Sequence, residues 1–249
     1  MHICRTCAAA DKGAIVASAP RSHFMDAFAA ELKRTAPRIQ IRNDLSHQAA
    51  GTGRALDALT SIMIVRALSW PSDLHQLERL DIGFSTELVY DVQSRPHGFA
   101  LVERLTVPPL RKEYHVVWGD LLSDSTVIVA ERENVLIGVA ALQFVAWNRR
   151  AVITHLYVDS GARGQGVGAC LVRELRARAA VLNARCLWVE TQNVNAPAIR
   201  FYEKSGFVFS GLDMSLYDLE STGAEIALYF TFPVNRDSGY AEFASRPAV

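Results

Sequence analysis

Between residues 163 and 168 the chain reads Arg163-Gly164-Gln165-Gly166-Val167-Gly168, with three glycines at alternate positions. A strand-like run at 152–158 precedes it and a helical pattern begins at Val167. Glycine, lacking a Cβ, accepts left-handed backbone and lets a ligand approach the main chain closely. Consecutive amide N–H groups where a helix starts form a concave anion site, reinforced by the positive end of the helix dipole. A chain with this junction is expected to carry a strand–loop–helix unit whose loop cradles a phosphate.

The surrounding pattern supplies the sheet. Val167, Cys170, Leu171, Leu175, Ala179 and Leu182 recur at helical spacing, while Arg173, Glu174, Arg176 and Arg178 take other positions, as in a helix covering a sheet. Upstream, 126–130 and 135–147 form an apparent hairpin around Arg132-Glu133-Asn134, and 150–158 adds a third consecutive strand. Further back lie a strand at 62–68 and a helix opened by Ser69-Trp70-Pro71-Ser72-Asp73, with Leu74, Leu77 and Leu80 on one face. Two extended segments, 86–93 and 99–107, are expected to end at Pro108-Pro109. Downstream, a strand at 186–191 leads to a second helix capped by Asn195, with Pro197 in its first turn and Gly206 as its stop. Strands at 207–213 and 226–232 close the domain.

Of 249 residues, 50% are apolar, enough to bury a sizeable core. Lys and Arg number 26 and so do Asp and Glu, so no global field favours nucleic acid or an anionic membrane. The longest mostly apolar stretch, 135–147, is interrupted by Gly138 and Gln143 and is too short to span a bilayer. The N-terminal segment has no uninterrupted apolar block followed by a cleavage site. A cytoplasmic protein is expected, monomer or homodimer, with neither nucleic acid nor membrane as partner. Cys4 and Cys7 have metal-like spacing, but no second Cys or His pair completes a set of about four zinc ligands, so no metal is expected. Residues 1–60 show one plausible helix, 24–34, and otherwise read as a partly disordered N-terminal extension. The domain is expected over 61–235, with a C-terminal tail at 236–249.

Gly164-x-Gly166-x-x-Ala169 also satisfies a loose dinucleotide-binding pattern, with Glu190 at the distance of a ribose-binding acid. Context argues against it, because five residues separate the strand from the first glycine and hairpins, not βαβ repeats, precede it. The stretch instead resembles the R-x-x-G-x-G/A signature of the GNAT acetyltransferases. Asn195-x-x-Ala198-x-x-x-Tyr202-x-Lys204-x-Gly206-Phe207 is similar to their second signature. Within that superfamily the resemblance narrows to the streptothricin/nourseothricin N-acetyltransferases. It is carried by residues 187–199, Gly211-Leu212-Asp213, Leu216-Tyr217-Asp218, residues 227–230, Trp147-Asn148-Arg149-Arg150 and residues 84–90. It covers about 62–234 and implies an α/β (α+β) fold with a mixed, mostly antiparallel V-shaped sheet flanked by helices. It also implies acetyl-CoA as co-substrate and a small-molecule amine as acceptor, the β-lysine amine of streptothricins being the named candidate. Another small-molecule or protein amine, or a catalytically weak CoA-binding or sensing module, are the alternatives.

Acetyl transfer needs a neutral amine, whereas a lysine-like amine has a pKa near ~10.4 and arrives protonated, so a base is required. The family pattern carries a Glu two residues ahead of the Leu156 position; here that residue is Thr154, which cannot serve as a base near neutral pH. Glu190, near the end of the strand beside the cleft, is the remaining candidate for base or substrate-binding group, with a structural hydrogen-bonding role as the alternative. Strand alternation turns His155 to the opposite face from Thr154, where a core or surface histidine is expected. The resemblance places Tyr202 near the CoA sulfur as general acid, and the backbone of Leu156, Tyr157 and Val158 along the pantetheine, one N–H steadying the oxyanion. It puts Arg163, Gly164, Gln165, Gly166, Val167 and Gly168 at the pyrophosphate, and Asn195 with Asn193 beside the pantetheine arm; helix capping accounts for Asn195 equally well. Cys170 and Cys186 sit in apolar patterns, so direct attack in a ternary complex is expected rather than a covalent cysteine route. Asp81, Glu87, Asp120, Asp124 and Asp213 are candidates to line a cationic pocket, with a solvated surface role as the default for each. The resemblance implies an acidic insertion after Pro108-Pro109, but 111–125 contains only Glu113, Asp120 and Asp124.

Overall fold

The computed structural model describes residues 39–41, 62–124, 126–218, 222–223 and 225–234. The helix expected at 24–34, the Cys4–Cys7 pair and the tail at 236–249 lie outside them. In chain order the strands and α-helices are β1 (Ile39–Ile41), β2 (Met63–Ala67), α1 (Leu74–Leu77), β3 (Phe84–Arg95) and β4 (Gly98–Lys112). Then come β5 (Thr126–Arg132), β6 (Val135–Val145), β7 (Arg150–Val158), α2 (Val167–Val181), β8 (Cys186–Gln192), α3 (Ala196–Lys204), β9 (Val208–Asp213) and β10 (Ala227–Pro233). Among the described residues, eight strands join in one sheet, ordered β1-β2-β5-β6-β7-β8-β10-β9, and β3–β4 form a separate hairpin. Every neighbouring pair is antiparallel except β7 and β8.

That exception makes the cleft. β7 and β8 pair only from Arg150↔Cys186 to Ile153↔Val189, yet β7 runs on to Val158 and β8 to Gln192. Beyond Ile153 the strands part, and the backbone groups of β7 that would have met β8 face a gap. Helix α2 covers one side of the sheet through Val167, Leu171, Leu175 and Ala179, all buried, as the spacing predicted. Their cluster takes in Ile128, Ala140, Leu142, Ile153 and Phe230 from the sheet and Tyr202 from α3. A second cluster, on the other face, joins Leu77 and Leu80 to Trp118, Leu121, Val139 and Ala141.

Three expectations change in detail. The helix expected through Leu80 is one turn, because Arg79 and Leu80 donate to Gln76 and Leu77 in tight three-residue bonds. Burial of Leu77 and the Arg66–Asp73 and Arg66–Glu131 ion pairs, each 2.7 Å, hold that turn in place. The hairpin strand does not stop at Pro108-Pro109 but continues to Lys112, since pairing jumps from Leu88↔Leu105 to Thr86↔Leu110. The prolines, which have no N–H to donate, occupy the looped-out stretch.

The third change lies at the cleft. Opposite β7, pairing passes from Ala141↔His155 to Leu142↔Ile153, leaving Thr154 as the extra residue of a β-bulge. Ile153 lies in the α2-side cluster and so packs Leu156, three residues on, while Tyr157 packs on the opposite cluster. The bulge therefore breaks the alternation. Thr154 and His155, expected on opposite faces, both reach one carboxylate: Thr154 Oγ1 donates to Asp124 Oδ2 at 2.9 Å, and His155 Nδ1 lies 3.4 Å from the same oxygen.

Candidate active site

A cavity of about 570 Å³ follows the gap between β7 and β8. One end is the glycine junction. Gly164 (φ +74°) and Gly166 (φ +81°) adopt left-handed backbone with open space where a side chain would start, so conformation rather than room requires glycine there. The first bond of α2 runs from Cys170 N–H to Gly166 O, so the amides of Val167, Gly168 and Ala169 have no intrahelical carbonyl to meet. All three residues line the cavity, as do Arg163, Gly164 and Gly166. A Cβ on Gly168 would come within 3.1 Å of the Phe201 ring, so this glycine also lets α3 close against α2.

Two of the predicted anion-binding side chains also brace the loop. Arg163 Nε donates to Val158 O at 3.0 Å and its Nη2 to Asp81 O at 3.3 Å. Gln165 does not line the cavity; its amide donates to Gly161 O and accepts from Arg132 Nη1. The residues present thus suit a pyrophosphate through main-chain N–H groups, with Arg163 and Gln165 holding the loop's shape.

Along the walls stand Leu156, Tyr157 and Val158 on the β7 side and Val189, Glu190, Thr191 and Gln192 on the β8 side. Tyr202 lines the same cavity from α3 and is buried, its ring 5.5 Å from both Phe201 and Phe207. Asn195 also lines it, while its Oδ1 caps α3 by accepting from Ala198 N–H and its Nδ2 donates to Tyr114 Oη. Asn193 points elsewhere: its side chain bridges Tyr90 O and Ile226 N, tying the β3–β4 hairpin to β10.

Glu190 is electrostatically unlike the other cavity residues. It keeps one edge on the cleft while its carboxyl group is almost wholly shielded, and burial pushes the pKa from 4.5 up to about 7. The Tyr217 hydroxyl donates to it and Lys112 stands close enough to stabilise its charge, but neither offsets the desolvation. Lys112 is itself paired with Glu225. Beside them, Tyr229 is pushed up to about 12 by burial and by the Asp213 and Glu190 charges. Tyr114 closes the cavity by donating to Gln192 Oε1 at 2.8 Å.

Sequence reasoning did not single out Tyr114, Gln192, Lys112 or Glu225. Tyr114 stands outside any periodic pattern, and its partner lies 78 residues away. Of the five acidic candidates, Asp81 and Glu87 are exposed, Asp120 is half-buried in a 3-10 turn, Asp213 lies near Tyr229, and Asp124 is buried against Thr154. Cys170 and Cys186 are buried; desolvation pushes the Cys186 thiol up, away from the reactive thiolate.

Residues 88–207 match the acetyltransferase (GNAT) family model. A streptothricin acetyltransferase of Streptomyces lavendulae is 37% identical over 172 residues, which is 66% of this chain and 91% of that protein. A crystal structure of nourseothricin acetyltransferase superposes with a TM-score of 0.64 at 36% identity, covering 70% of this chain and 99% of that one. A putative streptothricin acetyltransferase from Bacillus anthracis str. Ames, solved in complex with acetyl coenzyme A, gives 0.60 at 28% identity, covering 69% and 99%. With the parted strands, the glycine junction and the capped helix in place, the chain belongs to the GNAT family as an acetyl-CoA-dependent N-acetyltransferase.

Proposed function

We propose that this enzyme acetylates a primary amine of a small cationic molecule of the streptothricin class, by direct attack in a ternary complex. The observation that carries the chemistry is Glu190, a shielded carboxyl group with a pKa near 7 at the edge of the cleft. The likeness to streptothricin and nourseothricin acetyltransferases over most of their lengths favours the acceptor class.

Bound acetyl-CoA would supply the acyl carbon that the amine nitrogen attacks. The amides of Val167, Gly168 and Ala169, with the shaped loop around Gly164 and Gly166, would hold the pyrophosphate. The exposed edge of β7 at Leu156, Tyr157 and Val158 would pair with the pantetheine as an added strand does, one N–H facing the oxyanion. A carboxylate with a pKa near 7 is half ionised at neutral pH, so Glu190 can take a proton from the incoming ammonium and release it to solvent afterwards. The Tyr202 hydroxyl would give the departing thiolate its proton. Asn195 would contact the pantetheine arm while capping α3.

Mass-spectrometric detection of acetylated streptothricin, beside a panel of other amines and lysine peptides, tests this reading. Product with another amine but not streptothricin overturns the acceptor assignment. Tight CoA binding with no product from any amine would indicate a binding module instead.

A further inference from the structure

An amine that arrives as an ammonium ion and leaves as an amide loses two protons from nitrogen, whereas the departing sulfur takes back one. Glu190 accounts for one of the two removals. Behind the opposite wall of the cleft, reached through Thr154, lies a second carboxylate that the reaction described so far does not use.

Asp124 follows the 3-10 turn Trp118–Ser123, and its side chain is 5% exposed. The β-bulge at Thr154 brings two successive β7 side chains onto its Oδ2. Thr154 lines the cavity and donates its only hydroxyl proton to Oδ2, so toward any other group this hydroxyl acts as an acceptor. His155, 6% exposed, presents Nδ1 3.4 Å from the same oxygen, and that nitrogen has no hydrogen-bond partner among the described residues. A buried carboxylate and a buried imidazole whose facing nitrogen is unpartnered are costly for stability alone.

We propose that Thr154 and Asp124 form the second proton acceptor of the transfer, working from the β7 wall opposite Glu190. The nitrogen's N–H bond breaks as a new bond forms to Thr154 Oγ1. In the same step the original Thr154 O–H bond breaks and its proton moves to Asp124 Oδ2. Thr154 ends unchanged, Asp124 ends protonated, and no co-reactant is needed. Thr154 is the catalytic residue of the pair and Asp124 acts through it. His155 packs against Tyr157, ring centroids 6.1 Å apart, which holds its Nδ1 beside the same oxygen that accepts from the hydroxyl.

The inference rests on the acetyltransferase reading, and the experiment separates the two. Steady-state kinetics on the full chain with its best amine would compare Thr154→Val, Thr154→Ser and Asp124→Asn with the unsubstituted enzyme. Calorimetric acetyl-CoA binding and thermal melting would be measured in parallel. Thr154→Val keeps the side chain's shape and loses the hydroxyl, so kcat should fall about 100-fold with acetyl-CoA affinity held, and Thr154→Ser should restore most of that loss. Asp124→Asn can still accept the Thr154 hydrogen bond but cannot take the proton, so it should resemble Thr154→Val. An active enzyme whose Thr154→Val variant keeps kcat within about two-fold overturns the relay and leaves the acetyltransferase reading standing. A Thr154→Ser variant as impaired as Thr154→Val also overturns it, because the hydroxyl would then not be the group required. If Asp124→Asn does not fold, the Thr154 pair decides. Acetyl-CoA binding without turnover of any amine by the unsubstituted enzyme overturns both.

Discussion

At the proposed donor end of the cleft, six consecutive residues, Arg163 to Gly168, shape a loop at which main-chain amides open onto the cavity. At the acceptor end, the facing groups are side chains gathered from β7, β8, the segment after β4, and supports beyond β9. The donor end is local, so its geometry follows from glycine's conformational freedom and the start of one helix. The acceptor end is assembled: Glu190 meets Tyr217 across 27 residues, Tyr114 meets Gln192 across 78, and Thr154 meets Asp124 across 30. A backbone cradle tolerates changes in its side chains, whereas an assembled carboxylate site does not. The substitutions below separate the two on that basis.

The largest effect is expected at Glu190. Glu190→Gln should lower kcat about 1000-fold while leaving acetyl-CoA affinity almost intact, and should abolish the rise in rate through pH 7. An unchanged pH–rate profile would remove Glu190 as the base and weaken the contrast between the two ends. The same substitution should raise stability above neutral pH. The folded form retains a proton that the unfolded chain releases above about pH 4.5, so native stability falls as the pH rises from there toward 7. Glutamine does not titrate, so the variant's gain, about 3 kcal/mol at most, should be complete above pH 7 and vanish below about 4.5. Melting temperatures at pH 4 and pH 8 check the sign.

Tyr202→Phe should reduce turnover by about 100-fold with little change in the KM for acetyl-CoA. Normal turnover would leave Tyr202 as an aromatic of the α2-side core. Gly166→Ala tests the donor end. Forcing a Cβ into left-handed backbone costs roughly 1–2 kcal/mol, so the KM for acetyl-CoA should rise about ten-fold with kcat largely retained. A fall in kcat alone would mean the two ends are coupled more tightly than their construction implies. Asn195→Ala removes a helix cap and a bond to Tyr114, so it should cost about 1 kcal/mol of stability and only a small rise in the KM for acetyl-CoA, read from melting curves and kinetics.

Most of the fold was legible because each element carries its own period. β7 was expected at 150–158 and occupies those residues, and the buried face of α2 is the one its spacing marked. Proline spacing misled at Pro108-Pro109, where a looped-out stretch absorbs both residues and pairing resumes beyond them. At the site, Arg163, the glycines Gly164 and Gly166, Tyr202 and Glu190 all line one cavity, but Gln165 only braces the loop and Asn193 anchors a hairpin. Alternation also failed at Thr154 and His155, because a bulge depends on the partner strand's register, which the strand's own sequence does not contain.

The sequence by itself determined the proposed donor half: backbone conformation at Gly164 and Gly166, the start of α2 and the cap of α3 depend on residues a few positions apart. Only the tertiary structure decided the acceptor half. It parted β7 from β8 after Ile153, shielded the Glu190 carboxyl enough to bring its pKa near 7, and turned Thr154 toward Asp124. Burial and side-chain convergence depend on which distant segments pack together, and no local pattern encodes that.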